Sequence, residues 1–138
     1  MPRGWILIVI FMMILGITGC GNDVLDGKEI DKISIVCADE CKTVMPASFK
    51  ETDVVIFEAA DELNVFEKAI TRAEVIKGEV DYGVLFYMYL ALDDGSQKKY
   101  VLNIAKEDGR SGLLVDTYSG KGYAIPVNLT DKLRAIIW

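Results

Sequence analysis

Cysteine and carboxylate side chains are the groups through which this sequence could do chemistry. Its 138 residues include three cysteines and 21 acidic residues but no histidine. Without histidine, Ser-His-Asp and Cys-His catalytic arrangements are excluded and the commonest metal ligand is missing. No glycine-rich phosphate-binding loop with its lysine occurs either. Any catalysis would therefore have to rely on carboxylates.

Cys37 and Cys41 are separated by three residues at the end of a predicted strand. Outside the cytoplasm such a pair is expected to oxidise, and closing so small a ring would contribute roughly 2 kcal/mol in the chain-entropy model. The alternatives are free thiols, a redox dithiol or half of a metal site. Redox pairs usually have two intervening residues, and no second pair is present to complete a tetrahedral thiolate site. We expect a structural disulfide and no bound metal.

Three pairs of adjacent acids lie outside the predicted helices: Asp39-Glu40, Asp93-Asp94 and Glu107-Asp108. Paired carboxylates can bind calcium or act as a catalytic acid and base. Each pair falls in a predicted turn or irregular segment close to glycine or lysine. A solvated loop is therefore the simpler interpretation of each pair.

The first twenty residues have the pattern of an export signal. Residues 5–15 (WILIVIFMMIL) are an unbroken run of eleven apolar residues preceded by Arg3. A helix of that length extends about 16 Å, roughly half of a bilayer's hydrocarbon core, which is typical of a signal peptide. Ile17-Thr18-Gly19-Cys20 follows: an aliphatic residue, two small residues and a cysteine. This resembles the lipobox of bacterial lipoproteins, whose cysteine receives a diacylglyceryl group before a peptidase cuts in front of it.

The resemblance implies a signal peptide over residues 1–19, a lipidated Cys20 with a short tether over 20–29, and one globular domain over 30–138. Two acyl chains give stable anchoring where one would be marginal. The alternative is an uncleaved membrane anchor with an incidental cysteine. Cleavage would remove one basic residue, Arg3, and no acid, which changes the formal net charge from −6 to −7. An acidic domain is a poor partner for nucleic acid and for anionic lipid headgroups.

Apolar periodicity and turn residues predict the element order β-β-α-β-β-β-β-α. Alternation from Ile33 and a β-rich run over 53–58 give the first two strands, and residues 38–52 between them look irregular. Later strands are joined by tight glycine-containing turns and must be antiparallel. The prediction is an α+β fold: an antiparallel meander sheet with two helices on one face, similar in shape to TBP-like folds.

Each predicted helix has an apolar stripe and a candidate cap. Asp61 is positioned to cap the first helix, and Asn128 or Thr130 the second. The stripe of the first helix consists of Leu63, Phe66, Ala69, Ile70 and Ala73, and that of the second of Leu133, Ile136 and Ile137.

The strand over residues 84–92 is apolar on both faces, which is typical of a central strand. Tyr87 and Tyr89, with Leu85, point to the same side of it. If helices cover only the opposite side, this stripe is exposed and could hold a ligand or partner. The alternative is that it packs beneath residues 38–52.

A wider pattern covers about residues 54–137. It consists of Phe66-Glu67-Lys68-Ala69-Ile70 with Ala73 and Gly78, Asp81-Tyr82, the aromatic strand, Asp94-Gly95 and the closing helix with Leu133. This pattern resembles the YhfM-like lipoproteins of Gram-positive bacteria. Asn103-Ile104 departs from it, because the family tends to have an aromatic residue near the end of that strand. The resemblance implies a lipid-anchored extracytoplasmic domain and brings no catalytic residues.

We therefore predict a non-catalytic binding or interaction module on the outer, extracytoplasmic face of the cell membrane. It would be held there by a diacylglyceryl anchor, and its partner would be a protein or another envelope ligand rather than nucleic acid. We expect no cofactor. The alternative function is a carboxylate-based enzyme acting on cell-envelope material, which would need two acids converging in a pocket, one with a raised pKa.

Overall fold

The computed structural model describes residues 24–138. The predicted signal peptide and Cys20 lie outside these residues. The strands are β1 Ile30–Cys37, β2 Val54–Phe57, β3 Glu74–Val75, β4 Phe86–Leu92, β5 Gln97–Asn103, β6 Gly112–Asp116 and β7 Gly122–Ile125. The helices are α1 Asp39–Val44, α2 Ala60–Thr71 and α3 Val127–Ile137, with a 3-10 turn at Ala47–Phe49. No helix among the described residues is long and apolar enough to cross a membrane.

The seven strands form one antiparallel sheet in the order β2-β1-β4-β5-β6-β7-β3. This confirms the predicted α+β class, with β4 to β7 forming the meander. The predicted order omitted the short α1, the 3-10 turn and the two-residue β3. As predicted, β4 is an inner strand, paired with β1 on one side and β5 on the other.

Strict alternation along β4 separates a covered face of the sheet from an outer one. Phe86, Met88 and Leu90 are fully buried, whereas the tyrosines between them are only half-buried. The register places Ile33 opposite Leu90 and Ile35 opposite Met88, which extends the buried face across β1. Fully burying each such side chain contributes about 1.5–3 kcal/mol, so this face supplies much of the core.

Helix α2 packs its predicted apolar stripe against the covered face. Phe66, Ala69 and Ile70 are buried, and the Phe66 ring lies 5.1 Å from the Phe57 ring between centroids. The predicted cap is wrong: the helix begins at Ala60, no side chain caps it, and Asp61 lies in its first turn. There its carboxylate still benefits from the partial positive charge of the helix N-terminus.

Helix α3 also begins earlier than predicted, at Val127, because Pro126 and not Asn128 or Thr130 occupies its N-cap position. Thr130 lies inside the helix and is fully buried. Its hydroxyl accepts the Gly112 N–H at 2.9 Å and lies 3.0 Å from the Pro126 carbonyl oxygen. The hydroxyl therefore ties the helix to β6 instead of capping it.

Residues 38–52, expected to be irregular, contain α1 and the 3-10 turn and lie on the covered face. Phe49 stacks on Phe86 with a centroid distance of 5.5 Å. Cys37 at the end of β1 is disulfide-bonded to Cys41 in α1, with a Cα–Cα distance of 5.3 Å, and both residues are buried. The disulfide thus holds α1 against the edge of the core.

The residues expected to form the end of the tether are packed against the domain. Val24 and Leu25 are only 6% and 5% exposed and belong to the core. The Lys98 ammonium donates to the Val24 carbonyl at 2.6 Å and pairs with Asp26 at 3.2 Å. Lys28 pairs with Asp94 at 2.9 Å. The folded part therefore begins no later than Val24, and not at Ile30.

Candidate functional site

The face of the sheet opposite the helices, the outer face, is crossed by two rows of side chains. The first runs from Val54 through Val36, Tyr87, Val101 and Val115 on successive neighbouring strands. The second runs from Ile56 through Ser34 and Tyr89 to Lys99. Pairing between strands that are distant in sequence thus places both tyrosines in the same rows as the aliphatic side chains of the edge strand β2, with β1 between them.

One half of the outer face is closed by residues 76–85, the crossover, which joins β3 at one edge of the sheet to β4. A Cβ atom placed on Gly122 would lie 2.6 Å from the Val80 side chain, so Val80 sits directly on β7. The Asn103 amide donates to the Gly83 carbonyl at 2.6 Å and accepts the Leu85 N–H at 2.9 Å. Val115 is accordingly fully buried although it faces away from the helices.

The other half is open, and we call its side chains the tyrosine patch: Val36, Val54, Ile56, Tyr87 and Tyr89. Val54 and Ile56 are 40% and 54% exposed, and the other three are half-buried. Since Phe49 packs on the covered face, the alternative in which residues 38–52 cover the tyrosines does not hold. The patch is an aromatic and aliphatic surface on the uncovered side of a rigid sheet.

Lys99 adds a positive charge to the tyrosine patch. Its ammonium lies 4.2 Å from the centroid of the Tyr87 ring and 5.6 Å from that of Tyr89. Such a cation–π contact at an exposed site contributes about 0.5–1 kcal/mol and orients both rings. Lys99 was not among the residues predicted for this face, although the tight turn between β4 and β5 fixes a register that places it opposite Tyr89.

Leu85, which the sequence grouped with the tyrosines, lies in a separate cleft. We call it the distal cleft. It has a volume of about 360 Å³ and is lined by Val44, Leu85, Ala105, Lys106, Glu107 and Trp138. The Trp138 indole N–H donates to the Ile104 carbonyl at 3.0 Å, and its ring meets Phe86 edge-on at 6.4 Å. Trp138 is the last residue of the chain, and no local pattern in the sequence marked it.

The three acidic pairs lie in separate places. In the first pair, the Glu40 carboxylate lies against Gly83, where an added Cβ atom would collide with it. In the second pair, hydrogen bonds from Ser96 are the main cause that holds the pKa of Asp94 well below its usual range, and the Lys28 ammonium adds a smaller effect. In the third, Asp108 lies 3.6 Å from the Arg134 guanidinium. Among residues 24–138, no three His, Cys, Asp or Glu side chains are grouped so that they could hold a metal ion.

The buried cation Arg134 fastens the loop beside the last acidic pair. Its Nε donates to the Ala105 carbonyl at 2.6 Å, and its Nη1 pairs with Asp131. Arg134 is only 4% exposed, although the Asp131 carboxylate with which it pairs is partly in contact with water. The loop after β5 is therefore held by a helix side chain, and it forms one wall of the distal cleft.

No protein-family model, curated protein or solved structure matches this chain. The likeness to YhfM-like lipoproteins and the lipobox remain predictions from the sequence pattern.

Proposed function

We propose that this protein is a membrane-anchored extracytoplasmic lipoprotein whose domain is a non-catalytic interaction module that binds a partner protein through the tyrosine patch. One observation carries the proposal: tyrosine and aliphatic side chains share the half of the sheet that neither the helices nor the crossover covers. Tyrosine is enriched at protein interfaces because its ring offers a large apolar area with a polar tip. The predicted signal peptide and lipidated Cys20 supply the location.

The edge strand β2 indicates that the binding segment of the partner is an extended strand. The Cys37 N–H donates to the Asp53 carbonyl at 2.9 Å, so the alternation of an antiparallel ladder directs the backbone groups of Val54 and Ile56 away from β1. The Thr52 hydroxyl bonds both the N–H and the carbonyl of Val54, at 3.2 and 3.0 Å. By the same alternation the N–H and carbonyl of Ile56 point away from the sheet, and the residue is 54% exposed. An extended segment of the partner can therefore pair with β2 at Ile56 and lay alternate side chains on the tyrosine patch.

Charge favours a basic partner segment over a second copy of this chain. Glu51, Asp53 and Glu58 flank β2, and none is in an ion pair among the described residues. If two copies joined β2 to β2 antiparallel, Asp53 of one would lie close to Glu58 of the other, and like charges across strands are destabilising. Lysine or arginine at the ends of a partner strand would instead be attracted to these acids.

The test begins with a photo-crosslinking amino acid placed at position 56 in intact cells, with position 118 as a control because Tyr118 lies in a turn away from the patch. We expect one partner to crosslink from position 56 only. With that partner purified, Tyr87→Ser and Tyr89→Ser together should weaken binding at least thirtyfold, the equivalent of about 2 kcal/mol. Tyr118→Ser should bind like wild type.

A backbone variant separates strand pairing from side-chain contact. Ile56→Pro removes an N–H that faces away from β1, so the fold should survive while partner pairing is lost. Ile56→Thr keeps the N–H and should bind more tightly than Ile56→Pro. The double tyrosine variant must first be shown by circular dichroism to be folded. The proposal fails if that folded variant binds the crosslinked partner as wild type does.

The location has its own test. Mass spectrometry of protein from intact cells should show a chain that begins at Cys20 and carries acyl mass there, and Cys20→Ala should abolish both. A freely soluble protein, or one that keeps residues 1–19 without acylation, would overturn the location.

A further inference from the structure

The start of the folded chain is fixed at one end of the domain. Val24 is buried, and its carbonyl accepts the Lys98 ammonium at 2.6 Å. Asp93, in the turn between β4 and β5, donates its N–H to the Glu29 carbonyl at 2.9 Å. The Lys28–Asp94 pair ties residues 24–29 to the same turn. The position of Val24 is therefore set relative to the whole sheet.

Covalent geometry then limits how far this end can stand from an anchor at Cys20. Val24 is four residue steps from Cys20, and a fully extended chain advances at most about 3.6 Å per step. The sulfur that would carry the acyl chains thus attaches within about 14 Å of Val24, whatever path the chain takes. With a tether of that length, the domain cannot rotate so that its opposite end faces the membrane.

A second turn lies at the same end of the sheet. In β6, Asp116 pairs with Tyr100, and Thr117 donates to the Lys99 carbonyl, the residue next to Lys98. The turn that follows places Tyr118 almost wholly in solvent, at 99% exposure. The Asp116 carboxylate accepts the Tyr118 N–H at 2.8 Å, which orders the turn.

The Tyr118 ring is almost wholly in solvent, so it does not stabilise the fold by packing. Such exposure is unusual for a large aromatic side chain. Residues 117–121 (TYSGK) contain no acid and end in Lys121. Tyrosine is enriched at the level of lipid headgroups because it combines an apolar ring with a polar hydroxyl, and lysine is attracted to anionic lipids. Both side chains therefore have the chemistry of a lipid-facing turn.

Resting on the anchor at Cys20 proposed above, we propose that the β4–β5 and β6–β7 turns form the membrane-facing end of the domain, with Tyr118 in the headgroup layer. The partner is the lipid surface itself. The strands run away from it: β4 spans six residue steps, about 20 Å, from Leu92 near the membrane to Phe86. The distal cleft and the start of the tyrosine patch then face outward.

The proposal can be tested by fluorescence on full-length lipidated protein reconstituted into vesicles of phosphatidylcholine and phosphatidylglycerol that carry brominated acyl chains. Bromine quenches indole at short range. Tyr118→Trp places an indole in the turn, and Tyr82→Trp is a matched control at another exposed tyrosine, in the crossover. The native Trp138 in the distal cleft serves as an internal reference in every variant.

We expect the brominated vesicles to quench the added indole of Tyr118→Trp and to leave Tyr82→Trp and wild type at their fluorescence in unbrominated vesicles. Unquenched Tyr118→Trp on protein that floats with the vesicles would overturn the membrane-facing end while leaving the anchor intact. Equal quenching at both positions would overturn the orientation. Protein that lacks acyl mass and does not float would overturn the anchor and this inference together.

Discussion

Reducing the disulfide between Cys37 and Cys41 is expected to lower the free energy of unfolding by about 2 kcal/mol. The bond joins residues four apart in sequence, at the end of β1 and within α1. For so small a ring, the chain-entropy model gives a loss of about 7 cal/mol/K from the unfolded chain, or about 2 kcal/mol at 25 °C. A longer ring would give more, so this value is near the lower end for native disulfides.

The free energy converts into a shift of the melting temperature. Unfolding entropy near 60 °C is about 2.1 cal/mol/K per residue, which gives roughly 0.24 kcal/mol/K for a domain of this size. A loss of about 2 kcal/mol should therefore lower Tm by about 8 °C.

The assay compares oxidised and reduced protein by circular dichroism. Because Cys37 and Cys41 are only 3% and 0% exposed, reduction should be carried out in denaturant and followed by refolding in reductant. Mass spectrometry should show two added hydrogens. In a Cys37→Ala and Cys41→Ala double variant, reductant should leave Tm unchanged. Wild type that gains two hydrogens yet keeps its Tm would refute the stabilising role, and two extra hydrogens in protein fresh from cells would show that the bond does not form there.

Three further predictions concern packing and titration. Thr130→Val leaves the buried Gly112 N–H without its acceptor and should cost roughly 1–3 kcal/mol in urea unfolding, with a smaller cost for Thr130→Ser. Gly122→Ala places a methyl group against Val80 and should cost about 1–3 kcal/mol, most of which a simultaneous Val80→Ala should recover; purely additive losses would contradict the contact. Burial raises the pKa of Tyr100, so the folded state keeps a proton that the unfolded chain loses near pH 10. Stability should therefore fall as pH rises above about 10, less steeply in Tyr100→Phe, and equal slopes would contradict this.

Local periodicity was sufficient to predict the parts of the fold that carry the core. Alternation separated Phe86, Met88 and Leu90 from the tyrosines of β4, because a strand with a period of two has only two faces, but it left open whether the tyrosine side is covered. Spacing along a helix identified Phe66, Ala69 and Ile70 as the buried stripe of α2. The α+β class followed from these patterns and from tight turns, which leave antiparallel pairing as the only option.

Local periodicity could not predict contacts between residues that are far apart in the sequence. Val24 and Leu25 were assigned to a tether because two apolar residues among polar ones show no period, yet Lys98, more than seventy positions away, binds the Val24 carbonyl. The Thr130 hydroxyl was expected to cap a helix, but it bonds β6 because tertiary packing offered the Gly112 N–H.

The open and closed halves of the outer face could not be told apart from the sequence either. Strand alternation places Tyr87 and Val115 on the same face, and nothing local distinguishes them. The crossover decides which is buried, since it must travel from the sheet edge at β3 to an inner position at β4. Asn103 holds this crossover through hydrogen bonds with the Gly83 carbonyl and the Leu85 N–H, and no local pattern predicted that role.

The distribution of charge reconciles an acidic domain with a short tether. Overall negative charge predicts that the domain should stand away from anionic lipid, whereas the proposed anchor at Cys20 would hold its end within about 14 Å, four residue steps. At that end Asp26 and Asp94 are paired with lysines, whereas Asp93 and Glu29 are in no ion pair among the described residues, so only part of the local charge is neutralised. The unpaired acids flanking β2 lie along the edge of the sheet instead. Part of the net charge therefore lies where the proposed basic partner strand would approach, which lessens its opposition to the proposed membrane contact without removing it.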